Sequence, residues 1–317
     1  MACQIYTRSD YDRIKKDGFV YTLPTETIEA IKKIAANVGA PEYIKTPHFE
    51  KRKPRIQIKE VTDAEWNSIR NFKTTVMEKK KGVELSIDKI RKHLNKMTTK
   101  TYDTLLQQIC AEIDVLIAAE INPDELLLEL NKIGEAIFEI ASGNRFYSSM
   151  YALLYNQLMQ KYEFMQTTLS TKLNTEVHLF ADFEYCSSDK DYDKFCSNNK
   201  TNEKRRALGI FYVNLMLQKI IPLPKIAAMV AELQLNLVDA IAKENNMNLV
   251  EEMAEVLFGL IITGAPALKT LDEEWKQMIA SITAISTMKP KSAPSISNKT
   301  IFKHMDILME INKLKLI

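Results

Sequence analysis

Along most of this chain the apolar residues recur at three- and four-residue intervals, the spacing that lays them on one face of an α-helix. Leu126, Leu130, Ile133, Ile137 and Ile140 form one such row. From about residue 84 the rows follow one another closely and predict helices over 84–97, 99–118, 123–142, 145–162, 165–184, 203–220, 224–244, 247–263, 271–287 and 297–315. Most connections are short enough for neighbours to pack side by side, so these helices pair into about five antiparallel hairpins. The sharpest hairpin signal is the first, where Asn95-Lys96-Met97-Thr98 ends one helix and Tyr102, Leu105 and Leu106 open the next. A stack of hairpins is an α-solenoid, although no sequence word repeats at a fixed period.

The amino-terminal residues have a different character. Pro24-Thr25-Glu26 reads as a helix start, with Ile28, Ile31, Ile34, Ala35 and Val38 on one face and Gly39 as the stop. Pro41, Pro47 and Pro54 then punctuate a charged stretch, so Lys45 to Lys59 is expected to be an extended arm, with Ile56 to Val61 as a strand-like ribbon. The organisation expected is a 1–83 extension holding one short helix and this arm, followed by an all-α domain over 84–317. Within that domain, Cys186 to Lys204 is rich in Ser, Asp, Asn and Lys, and is expected to be a mobile loop.

Composition agrees with helices. Of 317 residues only 8 are glycine, while 46% are hydrophobic, enough to fill a sizeable core. A formal net charge of +2 is too small to mark a nucleic-acid binder by bulk charge, so that chemistry rests on local clusters. Lys51, Arg52, Lys53 and Arg55 make one, and Lys289, Lys291, Lys299 and Lys303 make another in a stretch without acidic residues. These are the candidate RNA-binding residues, a solvated charge run being the commoner use of such a pattern. Cys3, Cys110, Cys186 and Cys196 form no Cys-x-x-Cys pair and read as free thiols of a reducing compartment, with neither metal nor cofactor expected. The apolar runs are too short and interrupted to cross a bilayer, so a cytoplasmic protein is expected. No phosphate-binding glycine loop, His-Glu-x-x-His or Gly-x-Ser-x-Gly is present, and His48, His93, His178 and His304 are scattered. Catalysis is therefore not expected.

Three segments occur in an order that carries a resemblance. The first runs from Ile87 through Arg91-Lys92-His93-Leu94-Asn95-Lys96-Met97-Thr98 to Tyr102. The second is Ile133-Gly134-Glu135-Ala136-Ile137-Phe138-Glu139-Ile140-Ala141, then Asn144-Arg145-Phe146 and Tyr151-Ala152. The third is Glu203-Lys204-Arg205-Arg206-Ala207-Leu208-Gly209, leading into Phe211 and Leu215. Together they resemble the middle domain of eukaryotic initiation factor 4G, a HEAT-repeat scaffold. The chain departs from that family at Ile210, where Asn is usual, and it ends near Ile317 without the further helical domains of animal versions.

The resemblance implies a translation-initiation scaffold that binds and activates a DEAD-box RNA helicase of the 4A type, touches RNA, and works as a monomer within a larger complex. It implies helicase contacts at Trp66, Leu94, Met97, Thr98 and Tyr102. Trp66 can equally pack the arm against the domain, and Leu94 can act by supporting the fold. The family's cap-binding partner recognises Tyr-x-x-x-x-Leu followed by an apolar residue. The nearest segment here, Tyr6 to Asp12, has Tyr11 in place of that Leu, which makes Tyr6, Tyr11 and Ile14 the candidate contacts, against an ordinary packing helix. The alternative functions are a related scaffold in mRNA decay, nuclear cap binding or translational repression, and a direct RNA-binding protein.

Overall fold

The computed structural model describes residues 7–17, 22–38, 82–119 and 122–316. Tyr6, the arm with Lys51, Arg52, Lys53 and Arg55, and Trp66 lie outside the described residues. The chain divides into two compact units, Met1–Met77 and Glu78–Ile317.

The first unit contains α1 (Arg8–Asp17) and α2 (Thr25–Val38). At the start of α1 the Thr7 N–H donates to Asp10 Oδ2 at 2.9 Å and the Asp10 N–H returns a bond to Thr7 Oγ1 at 3.3 Å, a reciprocal cap. Helix α2 begins one residue after Pro24, as the sequence predicts.

The second unit is built from α3 (Val83–Asn95), α4 (Tyr102–Ile117), α5 (Pro123–Gly143), α6 (Ser148–Lys161), α7 (Glu163–Thr175), α8 (Tyr192–Leu217), α9 (Leu223–Ile241), α10 (Met247–Leu268), α11 (Asp272–Ser286) and α12 (Asn298–Lys313). A 3-10 turn, Val177–Phe180, follows α7. No strand occurs among the described residues, which are all-α. Side chains start several of these helices. Asn122 accepts from the Asp124 N–H at 3.1 Å ahead of Pro123, Asp191 from the Lys194 N–H at 2.9 Å, and Ser297 from the Thr300 N–H at 3.2 Å. Lysines end some of them. Lys219 takes φ 64° after α8, and the Ile220 N–H reaches back to the Leu215 carbonyl at 2.9 Å, closing the helix as glycine ordinarily does.

Sequence neighbours pack side by side: α3 on α4, α5 on α6, α9 on α10, α11 on α12. Between these pairs, α6, α8, α10 and α12 touch in succession, as do α3, α5 and α7, and α9 with α11. The expected pair of α7 and α8 is joined differently. Lys204 bonds Glu176 at 2.9 Å, the Tyr212 hydroxyl reaches the Lys172 carbonyl at 3.5 Å, and the Phe180 ring lies over Gly209. A Cβ on Gly209 would stand 3.0 Å from Leu260 and 3.2 Å from Phe180, so the missing side chain is what lets α8 approach both.

The centre of the unit is aromatic. Phe138 meets Tyr155 and Phe211 edge-on at centroid distances of 6.1 and 5.8 Å, and Tyr155 meets Phe211 at 5.9 Å, tying α5, α6 and α8 together.

Two helices run further than their sequences suggest. The composition of Cys186 to Lys204 favours a mobile loop, yet α8 already begins at Tyr192. Its carboxyl-terminal half is locked in the core, and extending a helix that is already nucleated costs little, so polar residues prolong it into solvent. Gly264 and Pro266 suggest that α10 stops by 263, yet it continues to Leu268. Burial of Ala265 and Leu268 holds the last turn, and a Cβ on Gly264 would come within 3.2 Å of Val213.

Candidate interaction surface

The first hairpin shows how the residues implied as helicase contacts are used. Leu94 and Met97 are 0% and 2% exposed, and Tyr102 is buried beside them. The Tyr102 hydroxyl donates to Gln157 Oε1 on α6 at 2.7 Å, and burial pushes the phenol up to about 12. From α6 the Tyr151 hydroxyl donates to the Leu94 carbonyl at 2.9 Å, satisfying an acceptor at the end of α3. These three side chains therefore build the hairpin and do not form its surface. Thr98 alone of the described four is exposed. Its N–H donates to Thr101 Oγ1 at 2.9 Å, and that hydroxyl donates in turn to the Lys96 carbonyl at 3.1 Å, fixing the turn. Lys92, Lys96 and Lys100 are exposed around it and form a basic lip.

What α4 and the start of α5 offer to solvent is a different set. Val115 and Ile117 on α4 are 67% and 42% exposed, and Leu127 and Leu128 on α5 are 55% and 63% exposed. Reading the apolar row of α5 through Leu126, Leu130 and Ile133 leaves Leu127 and Leu128 off it, so a signal was present in the sequence. On α4, Ile109, Ile113 and Leu116 face the core and leave Val115 and Ile117 outside in the same way. At the inner edge of this surface, Asp114 accepts from Lys161 at 2.7 Å and from the Tyr162 hydroxyl at 2.7 Å, bonds that hold its carboxyl below the ordinary range. The Tyr162 hydroxyl also lies 3.1 Å from the Cys110 carbonyl, and burial with these acceptors raises its pKa.

The carboxyl-terminal lysines divide. Lys299 lies 3.3 Å from Glu251, and Lys303 lies 3.1 Å from Glu255 with its ammonium 4.7 Å above the Phe258 ring. Both charges are answered from α10, because acids absent from the lysine-rich stretch itself are supplied by a neighbouring helix. Lys289 and Lys291 remain exposed. On α1, Tyr11 is 63% exposed, Ile14 is half-buried, and no residue of the helix is buried.

One cluster has no counterpart in the sequence reading. Arg205, within the basic run of the third segment, is 1% exposed. Its guanidinium donates to the Leu179 carbonyl, to Asn202 Oδ1 and, at 2.8 Å, to the Asp182 carbonyl, and it stacks 3.9 Å above the Phe183 ring. Burial lowers its pKa from an ordinary value far above neutrality. Beside it, Arg206 Nε lies 2.9 Å from Glu252 Oε1 at an angle that makes the pair electrostatic and not a hydrogen bond, and burial raises the Glu252 pKa. This cluster clamps residues 179–183 onto α8. The only sequence hint is that Arg205 shares a helical face with Leu208 and Tyr212.

A cavity of about 540 Å³ opens between α5, the end of α7 and α8, lined by equal numbers of carboxylates and cations, among them Glu139, Glu176, Lys172 and Lys204. Glu176 Oε1 is taken by Lys204, and the charges balance across the lining. Among the described residues no group of His, Cys, Asp and Glu is arranged to hold a metal ion, and no helix is long and apolar enough to cross a membrane. No protein-family model matches the chain, and no curated protein matches its sequence.

Proposed function

We propose that residues 84–317 form a HEAT-like α-solenoid that serves as a cytoplasmic translation-initiation scaffold, holding and activating a DEAD-box RNA helicase of the 4A type. The succession of paired helices, with rows of helices touching from one pair to the next, supports the solenoid. The observation that carries the partner-binding role is the set of aliphatic residues Val115, Ile117, Leu127 and Leu128, exposed on the last turn of α4 and the first turns of α5, about 20 Å along α4 from the basic lip. Large aliphatic side chains left exposed on a surface rimmed by polar residues are the ordinary makings of a protein interface. The resemblance puts a helicase at that hairpin. A rigid scaffold that touches both helicase lobes favours their productive arrangement and speeds nucleotide turnover without chemistry of its own.

In this reading Leu94, Met97 and Tyr102 hold the turn and its basic lip from beneath, Thr98 at the turn and the aliphatic residues at the far end of α4 make the contact, and Trp66 is an additional anchor from the amino-terminal extension. RNA contact falls to Lys289, Lys291 and the basic arm, and a cap-binding partner to Tyr6, Tyr11 and Ile14. The test is a titration of the full chain into a 4A-type helicase with ATP and RNA. Turnover should rise with scaffold concentration, and Leu127→Asp with Leu128→Asp should shift the titration by about tenfold or more while leaving the melting temperature of the free chain unchanged. Unchanged turnover across the titration would refute the reading.

A further inference from the structure

The cavity of about 540 Å³ between α5, the end of α7 and α8 falls within the size range of small-molecule sites. Four acids and four bases line it, and the chain pairs only half of them. Lys204 lies 2.9 Å from Glu176, and Arg206 lies 3.7 Å from Glu203 and 2.9 Å from Glu252. The other four, Glu135 and Glu139 on α5, Arg145 just past its end and Lys172 on α7, have no ion-pair partner among the described residues. Even within the paired set, Glu176 is 9% exposed and keeps an Oε2 without a hydrogen-bond partner, where buried oxygens are ordinarily answered. Opposite charges that border one cavity and stay apart leave room for a ligand that meets both.

We propose that this cavity binds a small zwitterion, an ammonium and a carboxylate joined by an apolar body, its ammonium held by Glu135 and Glu139 and its carboxylate by Arg145 and Lys172. Glu135 and Glu139 stand one turn apart on the same face of α5. That helix ends at Gly143, and Arg145 follows two residues later, so acids and base succeed one another along one wall. Phe138 and Ala207 add apolar surface to the lining. The charges of the lining cancel, and this balance selects the ligand. A simple anion would meet Arg145 and Lys172 but stand beside two unanswered carboxylates, and a simple cation would meet the reverse. A zwitterion answers both pairs. The guanidinium of Arg145 presents a planar fork that matches a carboxylate, and walls of low dielectric strengthen such contacts over those on an open surface.

The test is calorimetric titration of the full chain, at low ionic strength, with 4-aminobutyrate, 6-aminohexanoate and 8-aminooctanoate. At least one length should bind saturably, and the simple amine and simple carboxylic acid of that length should each bind about tenfold more weakly or worse. Glu139→Gln and Arg145→Gln replace exposed side chains, so each should keep the melting temperature of the chain and weaken binding of the zwitterion by about tenfold. Absence of binding across the series overturns the proposal, and so does unchanged affinity in either variant. An amine or acid that binds as tightly as the zwitterion also overturns it, a result that needs only the wild-type chain. Phosphate or spermidine binding more tightly than every zwitterion would make the cavity a site for a single charge, and the proposal would fall.

Discussion

The carboxyl-terminal half of α8 and helix α9 follow one another in the chain and share an apolar character, yet they meet different surroundings. From Ala207 to Met216 every residue of α8 is buried, because α5, α6, α9 and α10 all pack against it. Helix α9 packs on α8, α10 and α11 and leaves Leu235 and Val238 in water. Hydrophobicity around the whole circumference thus marks a helix that something covers, and the neighbours decide whether the cover lies within the chain. In α8 the cover is present. In α9 one side lacks it.

The contrast is sharpest at Phe211, whose ring is fully buried and meets Phe138 and Tyr155 edge-on. Phe211→Ala should cost about 3–5 kcal/mol in urea unfolding, whereas Leu235→Ala on α9 should stay within about 0.5 kcal/mol. A comparable loss at both positions would erase the distinction drawn between the two helices. Next in size is Arg205, whose removal strands the Leu179 and Asp182 carbonyls against α8. Arg205→Ala should cost about 2–3 kcal/mol and raise amide exchange across 178–185 ahead of the remaining core. Uniform exchange would mean that the arginine does not clamp that segment.

A smaller effect concerns His304 on α12, which is 0% exposed. Its Nδ1 lies 2.8 Å from the Thr300 carbonyl, Nε2 has no hydrogen-bond partner, and burial lowers the pKa from the ordinary 6.5. With the folded value depressed, the unfolded chain holds more protons between the two values, so stability contributed by the neutral ring is complete above about 6.5 and declines as pH falls below it. Unfolding measured from pH 7.5 down to 5 should show that decline, and His304→Gln should flatten it. An unchanged slope in the variant would assign the pH dependence to other groups.

The interaction surface was legible only in fragments. Spacing identifies Leu94, Met97 and Tyr102 as part of a helical hairpin, but residues at one helical spacing serve equally as core or contact. Here Tyr151 and Gln157 from α6 cover them and make them core. The off-row leucines at 127 and 128 were visible, though a sequence does not say whether another helix will cover them. Lys299 and Lys303 read as free charge because Glu251 and Glu255, which neutralise them, stand almost fifty residues earlier.

Local periodicity and turn chemistry by themselves determined the all-α class of the described residues, the number of long helices in the second unit and the α2 start after Pro24, but not every boundary, since the helix expected over 165–184 ends at Thr175. Only the tertiary structure decided that α8 extends back to Tyr192, that α10 runs past Pro266, that Arg205 is interior, and that α9 keeps an uncovered apolar face. Each of those outcomes depends on contacts between residues distant in sequence. The energy of such contacts exceeds the small local preferences that would have set a different boundary or a different exposure.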